Sequence, residues 1–298
     1  MRFDYLDIPH REGYFELPDY ELYFRSFGTG DTVLLCLHGG PGSSSDVIAP
    51  LGQHGGERVT VYMYDQYGSG RSDTPTKGDF DRYTVDNFRS ELDAVRAEID
   101  PDTMILYGVS WGGMLALEYA LEYPGHLDGL ILESTLHDTE EAIAAIRTAR
   151  EEELTDEELE TMLELESDRK FDDPEYQELM EKVYDERLLR VDEPVWWEKN
   201  EGNTDAYGLM WGPSEFALTD NSRLWGWSVK HRLDEISVPT KVIVGEFDEI
   251  GPAISSDIAD RIPNASLEVV EGASHAVLWD APEVHAELVD QFLSRFHA

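Results

Sequence analysis

Apolar positions along this chain follow two rhythms, and the switches between them mark its elements. Through Tyr14-Phe-Glu-Leu and Tyr20-Glu-Leu-Tyr-Phe-Arg-Ser-Phe27 apolar and polar residues alternate, interrupted by Pro18-Asp19. Alternation on both sides of a turn signal predicts an antiparallel hairpin. Mostly apolar runs follow at 32–37, 59–64, 103–109, 129–135 and just after Pro239, and Ala265-Ser-Leu-Glu-Val-Val270 reads as a last strand. Such runs predict strands buried on both faces, the habit of a parallel sheet. Between them the period lengthens. Val85, Phe88, Leu92, Val95 and Ile99 share one face of a predicted helix, and 255–262 and 282–296 read as further helices. Strands alternating with helices predict an α/β fold, a mostly parallel sheet covered by helices.

After Thr135 the pattern changes. Acids dominate from about 138 to 200, with helical periodicity over 142–150, 156–166 and 174–189. We read 136–225 as an inserted helical cap, and 1–135 with 226–298 as the core that receives it. The charge run reads as solvated helix face. Trp196, Trp197, Trp211, Trp225 and Trp227 crowd the end of the insertion and are expected to give it an apolar underside.

Charge narrows the functional classes. The formal net charge is −40, from 63 acidic residues against 23 Lys and Arg, and few of those cations are lysine. Phosphate binding needs the opposite sign, so no nucleic-acid partner is expected, nor an anionic membrane surface. Cationic substrates are one reading of the balance. The other, favoured by the spread of acids and the scarcity of lysine, is a halophilic surface whose self-repulsion salt screens. The single cysteine, Cys36, falls inside a strand run and reads as a small core residue. No apolar leader region follows Met1, and no run is long enough to span a bilayer, which leads us to expect a cytoplasmic protein.

The candidate chemistry lies at the ends of the strand runs. Thr103–Val109 leads through Gly108-Val-Ser-Trp-Gly112 straight into good helix formers. Strand, abrupt turn and helix is the context in which G-x-S-x-G means an exposed nucleophile, here Ser110. Gly108 and Gly112 let strand and helix approach closely, and the helix starts behind the serine with its free N–H groups. His38-Gly-Gly-Pro-Gly42 follows an earlier strand, and the N–H groups of Gly40 and Trp111 are the candidate oxyanion donors. His38 itself reads as structural, and Asp65 and Arg71 as a pair tying the next loop. Asp248 and His275 each follow a strand run, so Ser110, Asp248 and His275 stand in the order of an α/β-hydrolase triad. Glu133, a rival acid, sits inside its run. No Cys/His cluster or H-E-x-x-H pattern points to a metal, and no cofactor is expected.

These motifs carry a resemblance. His38-Gly-Gly-Pro-Gly42, Tyr64-Asp-Gln-Tyr-Gly-Ser-Gly-Arg-Ser72, Gly108-Val-Ser-Trp-Gly-Gly113, Gly245-Glu-Phe-Asp-Glu249 and Gly272-Ala-Ser-His275 resemble the proline iminopeptidase family of α/β-hydrolases. Pro174-Glu-Tyr-Gln and Met210-Trp-Gly-Pro-Ser-Glu-Phe216 are similar to its archaeal tricorn-interacting branch. The resemblance implies release of one N-terminal residue, often proline, from short peptides, and a functional link to a large peptide-producing protease. It also implies that Glu215 and Glu249 bind the substrate's free amine. Trp111 stands where that branch often has Tyr. An esterase or amidase of the same fold, acting on substrates without a free amine, is the alternative. A non-catalytic ligand-binding relative is a more distant one.

Overall fold

The computed structural model describes residues 8–75, 80–192 and 202–296. Eight strands form one sheet: β1 (His10–Glu16), β2 (Glu21–Phe27), β3 (Thr32–Leu37), β4 (Val59–Tyr64), β5 (Thr103–Val109), β6 (Gly129–Glu133), β7 (Thr240–Gly245) and β8 (Ala265–Val270), in the order β1-β2-β4-β3-β5-β6-β7-β8. β1 and β2 are the expected hairpin, and β2 meets β4 antiparallel. Every other pairing is parallel. The apolar runs become strands for a simple reason. β3 is buried at every position, so neither face tolerates a polar side chain.

Register aligns the strand ends. Leu37 pairs with Gly108, Val109 with Glu133, Glu133 with Ile243, and Gly245 with Val270. The carboxyl ends of β3, β5, β6, β7 and β8 are therefore level, and the residues just beyond them share one edge. Helix α1 (Val85–Ile99) starts at Thr84, whose side chain accepts from the N–H of Asn87. Helix α2 (Trp111–Glu122) runs directly out of β5.

Between β6 and β7 lie α3 (Thr139–Glu153), α4 (Asp156–Ser167), α5 (Pro174–Arg187) and a short helix at Thr204–Met210. Asp138, Thr155 and Asp173 each cap the first turn of the helix that they precede. Ile143, Ile146, Met162, Tyr176, Val183 and Met210 join one hydrophobic cluster with core residues Trp111, Leu115 and Leu132. These helices are thus seated on the core by burial. The passages in and out are also joined: Asp138 bridges Ser228, and the N–H of Val229 donates to the carbonyl of His137.

Of the described tryptophans, Trp211 is buried in this same cluster and Trp227 packs against it while donating to Glu118 on α2, whereas Trp225 is 46% exposed. Trp196 and Trp197 lie outside the described residues.

Candidate active site

Ser110 follows β5 and caps α2 with φ 53° and ψ −122°, a conformation that costs energy for any residue with a Cβ. The surrounding glycines make this turn possible. A Cβ on Gly112 would lie 2.4 Å from the carbonyl oxygen of Leu37, and one on Gly108 would lie 2.3 Å from that of Gly112. The N–H of Ser110 donates to the carbonyl of Glu133, anchoring the turn to β6. Trp111 opens α2, so its N–H has no acceptor within the helix and is free for a ligand.

His275 stands beyond β8. Its Nδ1 lies 3.0 Å from Asp248 Oδ1, which also accepts from the N–H of Ile250 at 2.8 Å. Asp248 is 2% exposed. Burial opposes its ionisation, but the charge and hydrogen bond of His275 hold its carboxyl below the usual range. Burial likewise opposes an imidazolium at His275. Asp248, with Glu249 and Glu215 behind it, outweighs this and pushes His275 up to about 9. An imidazole oriented by a buried carboxylate can take and return a proton.

Ser110, Gly40, His275, Glu215 and Glu249 line one cavity of about 200 Å³, whose apolar wall includes Val47, Val109, Leu188 and Leu278. Gly40 has φ 106°. Glu215 accepts a hydrogen bond from the Tyr207 hydroxyl, and Glu249, 3% exposed, leaves its Oε2 without a partner. Of the sequence-predicted residues, Asp248 is bonded to His275 and does not line the cavity, and Trp111 turns its side chain away. Its indole is buried, packs edge-on against Phe88 and donates to Gln66. A ring anchored there leaves the backbone N–H where α2 puts it.

The sequence pattern described as the alpha/beta hydrolase fold matches residues 32–282. The proline iminopeptidase of Saccharolobus solfataricus is 32% identical over 294 residues, covering 96% of this chain and 93% of that protein. That of Thermoplasma volcanium is 31% identical, covering 95% and 97%. The chain belongs to the proline iminopeptidase family of α/β-hydrolases. Among solved structures it is similar to VinJ, with TM-score 0.89 and 29% identity over 96% of this chain and 99% of that one. It is also similar to the proline iminopeptidase of Mycobacterium smegmatis, with TM-score 0.85 and 27% identity over 96% and 98%. This proline iminopeptidase relative is thus a serine hydrolase of the α/β-hydrolase fold.

Two supporting sets frame its cavity. Below Gly40, the Nε2 of His38 accepts from the N–H of Gln66, while its Nδ1 lies 2.9 Å from the carbonyl of Gly39. Burial holds His38 below its usual pKa, so it is a neutral structural ring. Asp65 takes the N–H of Ser45 on one oxygen and the N–H and Nε of Arg71 on the other, tying the loop as the sequence suggested. Above the cavity, sequence reasoning missed two features. The N–H groups of His275 and Ala276 donate to the carbonyls of Arg187 and Leu188 at the end of α5. Tyr207 was also missed. Backbone pairing leaves no side-chain signal, and a lone tyrosine among many carries little.

Proposed function

We propose that this protein is a serine aminopeptidase that releases a single N-terminal residue, proline among others, from short peptides through an acyl-enzyme. The carrying observation is the pair of acids Glu215 and Glu249 on a cavity wall that also holds Ser110 and His275, with no lysine or arginine among its described lining residues. Two enclosed carboxyls whose one neighbouring cation, His275, is already bonded to Asp248 suit a ligand that brings another, and a peptide's α-ammonium does. Relatives named proline iminopeptidase support the same reading.

In this reading the α-ammonium sits against Glu215 and Glu249, which brings the first carbonyl to Ser110. Ser110 Oγ attacks the carbonyl carbon while His275 takes its proton and Asp248 steadies the imidazolium. The oxyanion is met by the N–H groups of Gly40 and Trp111, which aim at charge present only in the transition state. His275 then protonates the leaving amine, the shortened peptide departs, and water repeats the sequence on the acyl-enzyme. The helices between β6 and β7 serve as the cap, with α5 holding the His275 loop from above. No helix among the described residues is long and apolar enough to cross a membrane. We propose that the enzyme works in the cytoplasm on short peptides supplied by a large protease.

The test is the substrate's amine. Aminoacyl reporters should turn over and their N-acetylated forms should not. Glu215→Gln keeps the side chain's size and removes its charge. A lost charge-assisted hydrogen bond of about 1.5–3 kcal/mol lowers kcat/KM for aminoacyl substrates by roughly ten- to hundredfold. Hydrolysis of a simple acetate ester should change far less, because damage to Ser110 or His275 lowers both reactions together. Equal losses on both substrates, or N-acetylated substrates cleaved as fast as free ones, hand the site to the esterase or amidase alternative.

A further inference from the structure

The acid pair raises a question of charge that substrate binding alone does not answer. Glu249 Oε2 is buried with no hydrogen-bond partner, and Glu215 receives the Tyr207 hydroxyl. Among the described residues, few ionisable groups face the pair. Tyr207, from the helix Thr204–Met210, and Tyr184, from α5, are phenols. Asp248 adjoins Glu249 and adds negative charge. His275 is the cationic partner, and it is already bonded to Asp248. Two carboxyls enclosed together beside a third cannot all stay ionised.

We propose that in the empty site Glu215 and Glu249 share one proton, and that the substrate's ammonium takes that proton's place. The exchange balances: one cation enters, the shared carboxyl proton leaves to buffer, and both carboxylates then hydrogen-bond the ammonium. This inference rests on the amine-binding reading above and adds to it. The empty pair then carries one negative charge rather than two, and only a ligand bringing its own cation displaces the proton. Burial, followed by the charge of Glu215, drives Glu249 well above the carboxylate range, and burial also raises Glu215. Because the entering cation replaces a proton at the same pair, the net charge facing His275 is unchanged on binding. A substrate with a blocked amine makes no such exchange.

The experiment uses the whole protein and pyrrolidine, a cyclic secondary amine that stays protonated through the neutral range and has no scissile bond. Its binding is followed by calorimetry in phosphate and in Tris, whose heats of ionisation differ. We expect about one proton released per amine bound. The Kd should fall about tenfold for each pH unit of increase until the pair is ionised, then level off. In Glu215→Gln, Glu249 faces no like charge across the cavity, so the levelling should move to lower pH. Saturable binding with no proton release and a flat Kd overturns the exchange and leaves the amine site standing. If pyrrolidine neither binds nor competes with substrate, the amine site itself fails and the exchange falls with it.

Discussion

Asp65 and the glutamates of α4 carry the same charge and have opposite consequences. Asp65 lies at the strand-end edge, 0% exposed, and receives the N–H of Ser45 together with the backbone and side chain of Arg71. It joins the loop after β3 to the loop after β4. On α4, Glu157, Glu160 and Glu164 are exposed along one face. They hold nothing together, and they repel one another at helical spacing. In a chain of net charge −40, sign tells little about a given acid. Burial and partners decide whether it builds the site or merely coats the surface.

That contrast is tested hardest at Asp65. Asp65→Ala strands the buried N–H of Ser45 and the part-buried N–H of Arg71, and leaves Arg71 only the second of its two carboxylates, Asp46. Breaking a buried pair costs about 3–5 kcal/mol, and we expect about 2–4 here because the Arg71 side chain is 38% exposed. The melting temperature should fall by roughly 4–8 °C. Burial opposes ionisation of Asp65, yet Arg71 holds its carboxyl below the usual range. The wild-type advantage is therefore present above the unfolded-chain value and is lost as pH falls through the depressed folded value. A melt unchanged near neutral pH would place Asp65 with the surface acids.

Glu91 sharpens the comparison from the other side, as an acid that is buried without a good cation. It sits on α1, 3% exposed, and accepts the N–H of Tyr67. Arg82 is near but lies over the Tyr20 ring and bonds Asp19. Burial pushes Glu91 up to about 8. The sign is the reverse of Asp65. The unfolded chain loses this proton near pH ~4.3, whereas the folded protein keeps it, so Glu91 costs stability progressively as pH rises from there to about 8. Glu91→Gln retains an acceptor for Tyr67 and should stabilise the protein by on the order of 1–3 kcal/mol at pH ~8. Melts taken across pH should show that gain vanish below the unfolded-chain value. A gain that does not depend on pH would mean packing, not ionisation.

What the sequence revealed divides along the same line. Strands β3, β5, β6 and β7, and with them the turn at Ser110 and the position of Asp248, were legible because burial on both faces forces apolar runs. A strained turn between strand and helix also demands glycine. Glu91 was illegible because it occupies a helical position flanked by Phe88 and Leu92, where an acid reads as the edge of the polar face. Ser45–His54, a 3-10 helix containing Pro50, shows none of the 3.6 periodicity that helix reading relies on. The bonds from His275 and Ala276 to the end of α5 are purely backbone.

The smallest effect is expected on α4, where the sequence read the charge run as solvated face. Glu160 stands three residues after Glu157 and four before Glu164, so it belongs to both like-charge pairs. Glu164 lies in the last turn, which contains no basic residue and whose dipole end disfavours an anion. Glu157 is left alone, since the first turn favours its charge, and the Thr155–Glu158 capping box stays intact. Glu160→Gln with Glu164→Gln removes both repulsions, each worth roughly 0.2–0.5 kcal/mol. With the dipole contribution, a gain of about 0.5–1 kcal/mol in dilute buffer should raise the melting temperature by about 1–3 °C. In molar salt the screening length of ~3 Å is shorter than the ~5–6 Å between such neighbours, so the gain should disappear. The wild-type protein should meanwhile melt higher in molar salt than in dilute buffer, because its far larger self-repulsion is screened in the same way. If the double variant gains equally at both salt concentrations, helix propensity rather than charge is responsible. If wild-type melting ignores salt altogether, the acidic surface is not an adaptation to it.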